Sequence, residues 1–434
     1  MDFALFILLN AILLIRPEEL WPEFAGMRLY QIMIGLCSVV ALPDILGQLR
    51  PDELRRRPIT VCVLGMLGAV ALSVLARGRM DDFEEFVPEF AKVILYYLLL
   101  VAVVTTPMRL RIFLGAQVVF IAIVAGLALM QFHEYIDIET LRPVVDHRID
   151  PETGVEGEIL RMRSTGIFND PNDLCLILVF GSVCCLYLAS TAAPILVRGI
   201  ALLPVPVFGY ALYETGSRGG LLSLLAAAGA LLWMRLGSKR SLPLIALLPV
   251  LLLVLGGRQS EITGGTAHER VMIWADGLSE YLSQKAYVLT GLGPGQYDVE
   301  MGHVAHNSFV HAYVELGLIG GGFFLGAFVL AVRMMLHVKS TRAAAESTDA
   351  IRAMPFIAAI LAGYCAGVYS LSRCYVVPTY MCLGLVASYL SMVMQDVPIQ
   401  FQVTGRWVRD MVLISVGGLV FLKVFTQVAG NLGM

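Results

Sequence analysis

The sequence predicts an all-α, polytopic membrane protein, and three observations carry that prediction. Of its 434 residues, 58% are hydrophobic and only 15% charged, where a soluble chain has roughly 25% charged residues. Mean hydropathy is +0.76. Apolar windows of about bilayer length, roughly 17–25 residues, recur along the whole chain. Backbone in lipid must satisfy its own hydrogen bonds, so each window is expected to be a helix. The net charge of −3 indicates no nucleic-acid partner and leaves membrane lipids as the surroundings.

In order, the apolar runs fall at about 3–15, 29–46, 59–76, 91–105, 110–132, 174–191, 195–213, 219–236, 242–256, 308–332, 354–371, 375–394 and 410–428. That is about thirteen transmembrane helices, or about twelve if the first or last is not a span. A single transmembrane domain over 1–434 is expected, with one polar loop at 133–173 and a larger one, carrying short helices, at 257–307. The first run, Phe3–Ile15, is short for a crossing. It lacks a basic leader and a small-residue cleavage site, so it does not read as a cleavable signal, and Arg16 and Trp21 stand where interfacial anchors would. The cysteines Cys37, Cys62, Cys175, Cys184, Cys185, Cys365, Cys374 and Cys382 lie in or beside apolar runs without a CxxC pair. That is the pattern of small hydrophobes, and it indicates neither a disulfide framework nor a zinc site. No internal repeat is visible.

Short basic breaks set the orientation. Arg50–Arg57, Arg109 and Arg111, Arg235–Arg240 and the segment Arg333–Arg352 all fall on one side when the spans are counted, which makes that side cytoplasmic. The acidic stretch Asp81–Glu85, the loop 133–173, the turn Glu214–Arg218 and the loop 257–307 then face outward. Arginines on that outer side run against the rule and need a reason. Arg161, Arg163, Arg218 and Arg270 stand out, with Arg258 in the same large loop.

The loop 133–173 ends in Arg161-Met-Arg163-Ser-Thr-Gly-Ile-Phe-Asn169-Asp-Pro-Asn172-Asp. Asn169 or Asp170 before Pro171 is a helix-start signal. Beyond the cap, a helix N-terminus with neighbouring arginines suits an anion or sugar-phosphate group, with Arg161, Arg163 and Asn172 as candidate binding residues. The turn Tyr213-Glu-Thr-Gly-Ser-Arg218-Gly-Gly has hardly any loop. Its plain reading is a snorkelling arginine, and the alternative is a charge kept at the membrane boundary for function.

In the large loop, Thr266-Ala-His-Glu269 reads as a capping box that opens an amphipathic helix through about Ser283. Val271, Ile273, Trp274, Leu278 and Tyr281 are available for its apolar face, and Trp274 suits an interfacial position. Arg270 sits in the first turn, where a cation opposes the helix dipole. Either Glu269 partners it or it grips an anionic ligand. Gly291-Leu-Gly-Pro-Gly295 is a sharp turn, followed by His303, His306 and His311. No HExxH motif is present, and no acidic partner stands at metal-ligand spacing. The sharper reading is His306 as a general base at a helix start, with Asn307 or Ser308 as the cap. Glu315 lies two turns on and is expected to pair with an arginine.

These residues carry a resemblance. The layout, the turn Ser217-Arg218-Gly219, Arg270 ahead of Ile273-Trp274, Gly291-x-Gly-x-Gly, and His306-Asn307-Ser-Phe followed by Glu315-x-Gly317-Leu-Ile-Gly320 resemble the O-antigen ligase and polymerase superfamily of bacterial envelope glycosyltransferases. The resemblance implies a metal-independent, cofactor-free, inverting transferase of the bacterial inner membrane. It would move a glycan from an undecaprenyl-pyrophosphate-linked donor to a hydroxyl of a lipid or glycan acceptor on the periplasmic face. It further implies that Arg218 and Arg270 bind the pyrophosphate and that His306 takes the acceptor proton, with Arg161, Arg163, Asn172, Asn307 and Glu315 as binding residues. The chemistry is coherent: arginine clamps a diphosphate leaving group bidentately without a metal, and histidine titrates near neutrality. The acidic Asn169-Asp-Pro-Asn172-Asp departs from what a pyrophosphate site wants and better suits an acceptor sugar.

Ligase, chain polymerase and protein O-glycosylating enzyme share this donor chemistry, and the end of the chain without a further soluble stretch points away from the last. A flippase or transporter is the alternative from another class. Such folds show paired broken helices and internal repeats, and neither is visible in the sequence. An intramembrane protease lacks its GxSxG or HExxH element.

Overall fold

A computed structural model describes residues 1–149, 156–192, 194–255, 265–341, 349–394 and 397–431. Arg258 and Arg342 lie outside the described residues. The protein is an all-α, multi-pass membrane protein, with a helix on every apolar run expected above. Among the described residues, nine helices are long and apolar enough to cross a membrane, or ten if the bent pair Leu29–Val40 and Leu42–Gln48 is one crossing. The first helix, Asp2–Ile15, has 14 residues and rises about 21 Å, short of a hydrocarbon core of about 30 Å. Val377–Val393 has 17 residues and is likewise short.

The single domain expected over 1–434 resolves into two compact units, each gathered from three separated stretches. The first unit comprises Met1–Cys37, Thr106–Glu261 and Thr348–Gly367, and the second comprises Ser38–Thr105, Ile262–Ser347 and Val368–Met434.

The first unit is built around the helix Pro171–Thr191, which packs against Pro107–Phe132, Pro204–Glu214 and Arg218–Leu236. The expected start signal is used: Asp170 is the cap and its carboxylate accepts from the Asn172 N–H at 2.7 Å, with proline at the first helical position. Proline there forfeits no helical bond. Within the loop 133–173, Val144–Ile149 and Glu156–Arg161 pair as antiparallel strands, Val144 facing Arg161.

In the second unit Pro58–Arg77 packs on Ser308–Thr341, which in turn packs on Gly405–Asn431, while Met80–Val103 packs on Val377–Val393. The loop helix runs Gly265–Ser283 and lies on Gly405–Asn431. Its apolar face is the expected one. Val271, Trp274, Leu278 and Tyr281 are buried in a cluster with Val310, Tyr313, Val314, Leu419 and Leu422, and Ile273 packs against that cluster. Burying Val271 and Leu278 stabilises the docked helix by about 1.5–3 kcal/mol each. Two expectations are corrected. Trp274 is 4% exposed, a core residue and not an interfacial anchor. The helix already includes Gly265 and Thr266, so Thr266 lies in the first turn and not outside it as a cap.

Candidate functional site

The helix Ser308–Thr341 is broken at Gly317, whose φ of 64° and ψ of −162° are not helical. A break strands carbonyls before it and N–H groups after it, and inside a membrane such groups must find protein partners. The segment after the loop helix supplies them. Leu292 N–H donates to Val314 O and Gly293 N–H to Glu315 O, both at 2.9 Å. In return Leu318 N–H donates to Val288 O at 3.0 Å and Ile319 N–H to Leu289 O at 3.1 Å. Ser73 Oγ adds a bond to Glu315 O at 3.0 Å. Two glycines permit this approach of backbone to backbone. A Cβ on Gly291 would stand 2.3 Å from the Glu315 carbonyl, and one on Gly317 2.5 Å from the Leu289 carbonyl. The motifs at Gly291–Gly295 and Glu315–Gly320 are thus two halves of one joint.

Arg77 clamps the joint from the end of Pro58–Arg77. Its Nε donates to Gly291 O at 3.1 Å and its Nη1 to Gln284 Oε1 at 2.9 Å. The guanidinium stacks on the Tyr287 ring, 3.7 Å from its centroid.

Next to the break, Glu315 is wholly buried and its partner His311 is 14% exposed. Glu315 Oε1 lies 3.1 Å from His311 Nε2 and accepts the Tyr297 N–H at 2.9 Å, and Oε2 accepts from Tyr375 OH at 2.8 Å. The partner is therefore a histidine, one helical turn away, and not the arginine expected. A carboxylate shielded from water is tolerable here because three donors converge on it. His311 Nδ1 lies 3.4 Å from Cys374 Sγ, and the Tyr297 and Tyr375 rings meet His311 edge-on at 5.8 and 5.6 Å. Burial, and then the Glu315 charge, pushes the Tyr375 phenol well above its ordinary pKa, so it serves as a fixed donor. Burial likewise raises Tyr297, whose OH donates to Ile273 O at 2.8 Å and ties the loop helix to the same cluster.

His306 and Asn307 open the membrane helix. His306 is half-buried and holds a left-handed φ of 49°, a turn that redirects the chain into the helix. Asn307 is wholly buried, and its Oδ1 accepts from Phe309 N–H at 2.9 Å and Val310 N–H at 3.2 Å. It is the cap through its side-chain oxygen, and its buried Nδ2 has no hydrogen-bond partner. Ser308 Oγ donates to Leu371 O at 2.5 Å and accepts from Arg373 N–H at 2.8 Å. Arg270 is half-buried in the loop helix. One turn further, the Trp274 indole N–H donates to Ala305 O at 2.6 Å. That bond joins the helix presenting Arg270 to the residue preceding His306. His303 is exposed. Among the described residues, no group of three or more His, Cys, Asp or Glu is placed to hold a metal ion.

Arg161, Arg163, Asn172 and Arg218 belong to the first unit. Arg161 is 19% exposed and bonds three ways: Nε to Thr215 O at 2.9 Å, Nη1 to Asp146 Oδ2 at 3.0 Å and Nη2 to Asn172 Oδ1 at 3.1 Å. The strand pairing explains the second contact, since Arg161 faces Val144 and Asp146 is its diagonal neighbour on the same face. Asn172 Oδ1 also accepts from Ser217 Oγ at 2.7 Å, and Ser217 Oγ caps the next helix by accepting from Gly220 N–H at 3.0 Å. Arg218 is the first residue of that helix and half-buried. Arg163 Nε donates to Arg142 O at 2.7 Å. Arg161 and Asn172 thus build the turn that presents Arg218.

Sequence reasoning missed Arg77, Tyr375 and the service of His311 to Glu315. Two signals were present. His311 and Glu315 stand at the i, i+4 spacing of helical ion pairs. Arg77 ends a span that starts at the basic break Arg50–Arg57, so it is one more arginine on the outer side. No family model and no curated protein matches this chain.

Proposed function

We propose that this protein is a membrane glycosyltransferase of the O-antigen ligase type. It moves a glycan from undecaprenyl pyrophosphate to a lipid or glycan acceptor hydroxyl at the periplasmic face of a bacterial inner membrane. One observation supports the reading. The Trp274 to Ala305 hydrogen bond ties the helix bearing Arg270 to the residue that precedes His306, at the start of a membrane helix. In the proposed step the acceptor oxygen attacks the sugar C1, the C1–O bond to the pyrophosphate breaks with inversion, and the imidazole of His306 takes the hydroxyl proton. The leaving undecaprenyl pyrophosphate carries away the bonding pair, and Arg270 holds the charge that builds on it. His311, Glu315 and Tyr375 are positioning residues, which hold the helix start in place. A chain polymerase uses the same donor chemistry and differs in its acceptor.

A transporter of lipid-linked glycans is the second reading, favoured by the break at Gly317, since transport folds use discontinuous helices. The stranded backbone groups here are bonded by residues 288–293, which leaves fewer carbonyls for a travelling ion. The test is a transfer assay with radiolabelled undecaprenyl-pyrophosphate glycan, candidate acceptors and EDTA. Glycosylated acceptor and released undecaprenyl pyrophosphate are expected, with turnover reduced about 10²–10³-fold in Arg270→Lys, the range for a lost charge-stabilising donor. Full turnover in His306→Ala removes the base from the mechanism. Movement of the labelled lipid between leaflets without release of the pyrophosphate favours the transporter.

A further inference from the structure

Away from this site, the second unit holds two adjoining hollows that share Glu53, Arg57 and Val101. One has a volume of about 200 Å³, with Glu53, Arg56 and Arg57 at one side and Ile59, Val101 and Leu390 among its apolar walls. The other, of about 550 Å³, is lined by Gln48 together with Asp44, Arg50, Asp52 and Glu53. We infer that this pair of hollows binds the headgroup of an ethanolamine phospholipid, on the end of the unit that bears the basic break Arg50–Arg57.

Each part of such a lipid meets its complement. The phosphate meets Arg56 and Arg57 and the first turn of the helix Pro58–Arg77, of which Pro58, Ile59 and Thr60 line the smaller hollow. No side chain caps that helix, so its leading N–H groups are open to an anion. The glyceryl chains follow the apolar wall toward the bilayer. The ammonium is called for by Gln48. This residue is 4% exposed, its Nε2 donates to Leu98 O at 2.8 Å, and its Oε1 is buried without a partner. A buried acceptor left unbonded costs roughly 1–3 kcal/mol, and an ammonium supplies the missing donor. Asp44, Asp52 and Glu53 line the same hollow with Arg50 and Arg57, which leaves the carboxylates one charge in excess. Glu53 contacts Arg57 at 3.5 Å with the carboxylate 45% exposed, a weak pair that a phosphate on one side and an ammonium on the other can replace. Phosphatidylcholine lacks the N–H donor, and phosphatidylglycerol lacks the cation that the carboxylates want.

The test is native mass spectrometry of the full chain in detergent, titrated with phosphatidylethanolamine, phosphatidylcholine and phosphatidylglycerol of identical acyl chains. Ethanolamine lipid is expected to be retained about tenfold better than either other lipid. The double substitution Arg56→Gln, Arg57→Gln should lower its retention about tenfold. Glu53→Gln should erase its advantage over phosphatidylcholine, and Arg55→Gln, a neighbouring exposed arginine that lines neither hollow, should change nothing. Equal retention of all three lipids, preference for phosphatidylglycerol, or an equal loss in Arg55→Gln overturns the inference. An unchanged melting temperature in the Arg56, Arg57 variant separates lost binding from lost folding.

Discussion

Replacing Gly317 with alanine tests the joint between the segment 288–293 and the broken helix Ser308–Thr341. At φ 64° and ψ −162° the backbone lies in a region essentially open to glycine alone, and holding alanine there costs about 1–3 kcal/mol. The added methyl would also stand 2.5 Å from the Leu289 carbonyl and 2.6 Å from Gly291 N. Backbone atoms have no rotamer to yield, so relief requires the segment 288–293 to lift away. Lifting it forfeits four backbone hydrogen bonds at roughly 1 kcal/mol each, offset in part by a straightened helix. The net loss is about 2–4 kcal/mol by either route. At roughly 2–4 °C per kcal/mol for a domain of ~150–250 residues, the melting temperature should fall on the order of 10 °C. The assay is thermal unfolding of the purified protein in detergent, with Gly68→Ala as the companion. Gly68 is a helical glycine with nothing within 4 Å of its added methyl, so that variant should melt at or slightly above the wild type. If Gly317→Ala melts with the wild type, the helix is not held broken by this contact.

Glu315→Ala should destabilise by about 3–5 kcal/mol, because it strips His311 of its buried partner, whereas Tyr375→Phe should cost about 1–2 kcal/mol for one bond to a carboxylate; chemical unfolding of both variants measures the ordering, and equal losses would contradict the convergent geometry. Trp274→Phe keeps the ring in its cluster and orphans Ala305 O, a loss of about 1–3 kcal/mol. On the proposed function it should also lower glycan turnover more than the same loss placed at Tyr281→Phe, whose OH bonds Val288 O. Arg161→Lys can keep only part of three divergent contacts, so a fall of about 1–3 kcal/mol is expected, with Arg163→Lys, bonded to one carbonyl, near neutral by the same unfolding assay.

What the sequence determined by itself is whatever follows from local composition and spacing. Apolar runs of bilayer length became helices because a chain in lipid has no other local way to bond its backbone. Asp170-Pro171 started a helix where it was read, and the loop helix ended at Ser283 with the expected residues buried, since caps and amphipathic faces are set by neighbours within a turn or two. Arg218, Arg270 and His306 could be singled out the same way, as charges and a base where the orientation rule and helix dipole disfavour them. Only the tertiary structure decided what those residues touch. Glu315 found His311, Tyr375 and a Tyr297 amide because the chain folds residues 297 and 375 back onto it, and no local pattern encodes which distant donor arrives. Asn307 holds the helix start for which it was a cap candidate, and Asn172 also holds a turn. Gly291 was legible as part of a sharp turn and Gly317 as part of a motif, yet each is needed because the other's backbone lies against it. That requirement exists only once two segments of chain, each unremarkable by itself, have been brought within hydrogen-bonding distance.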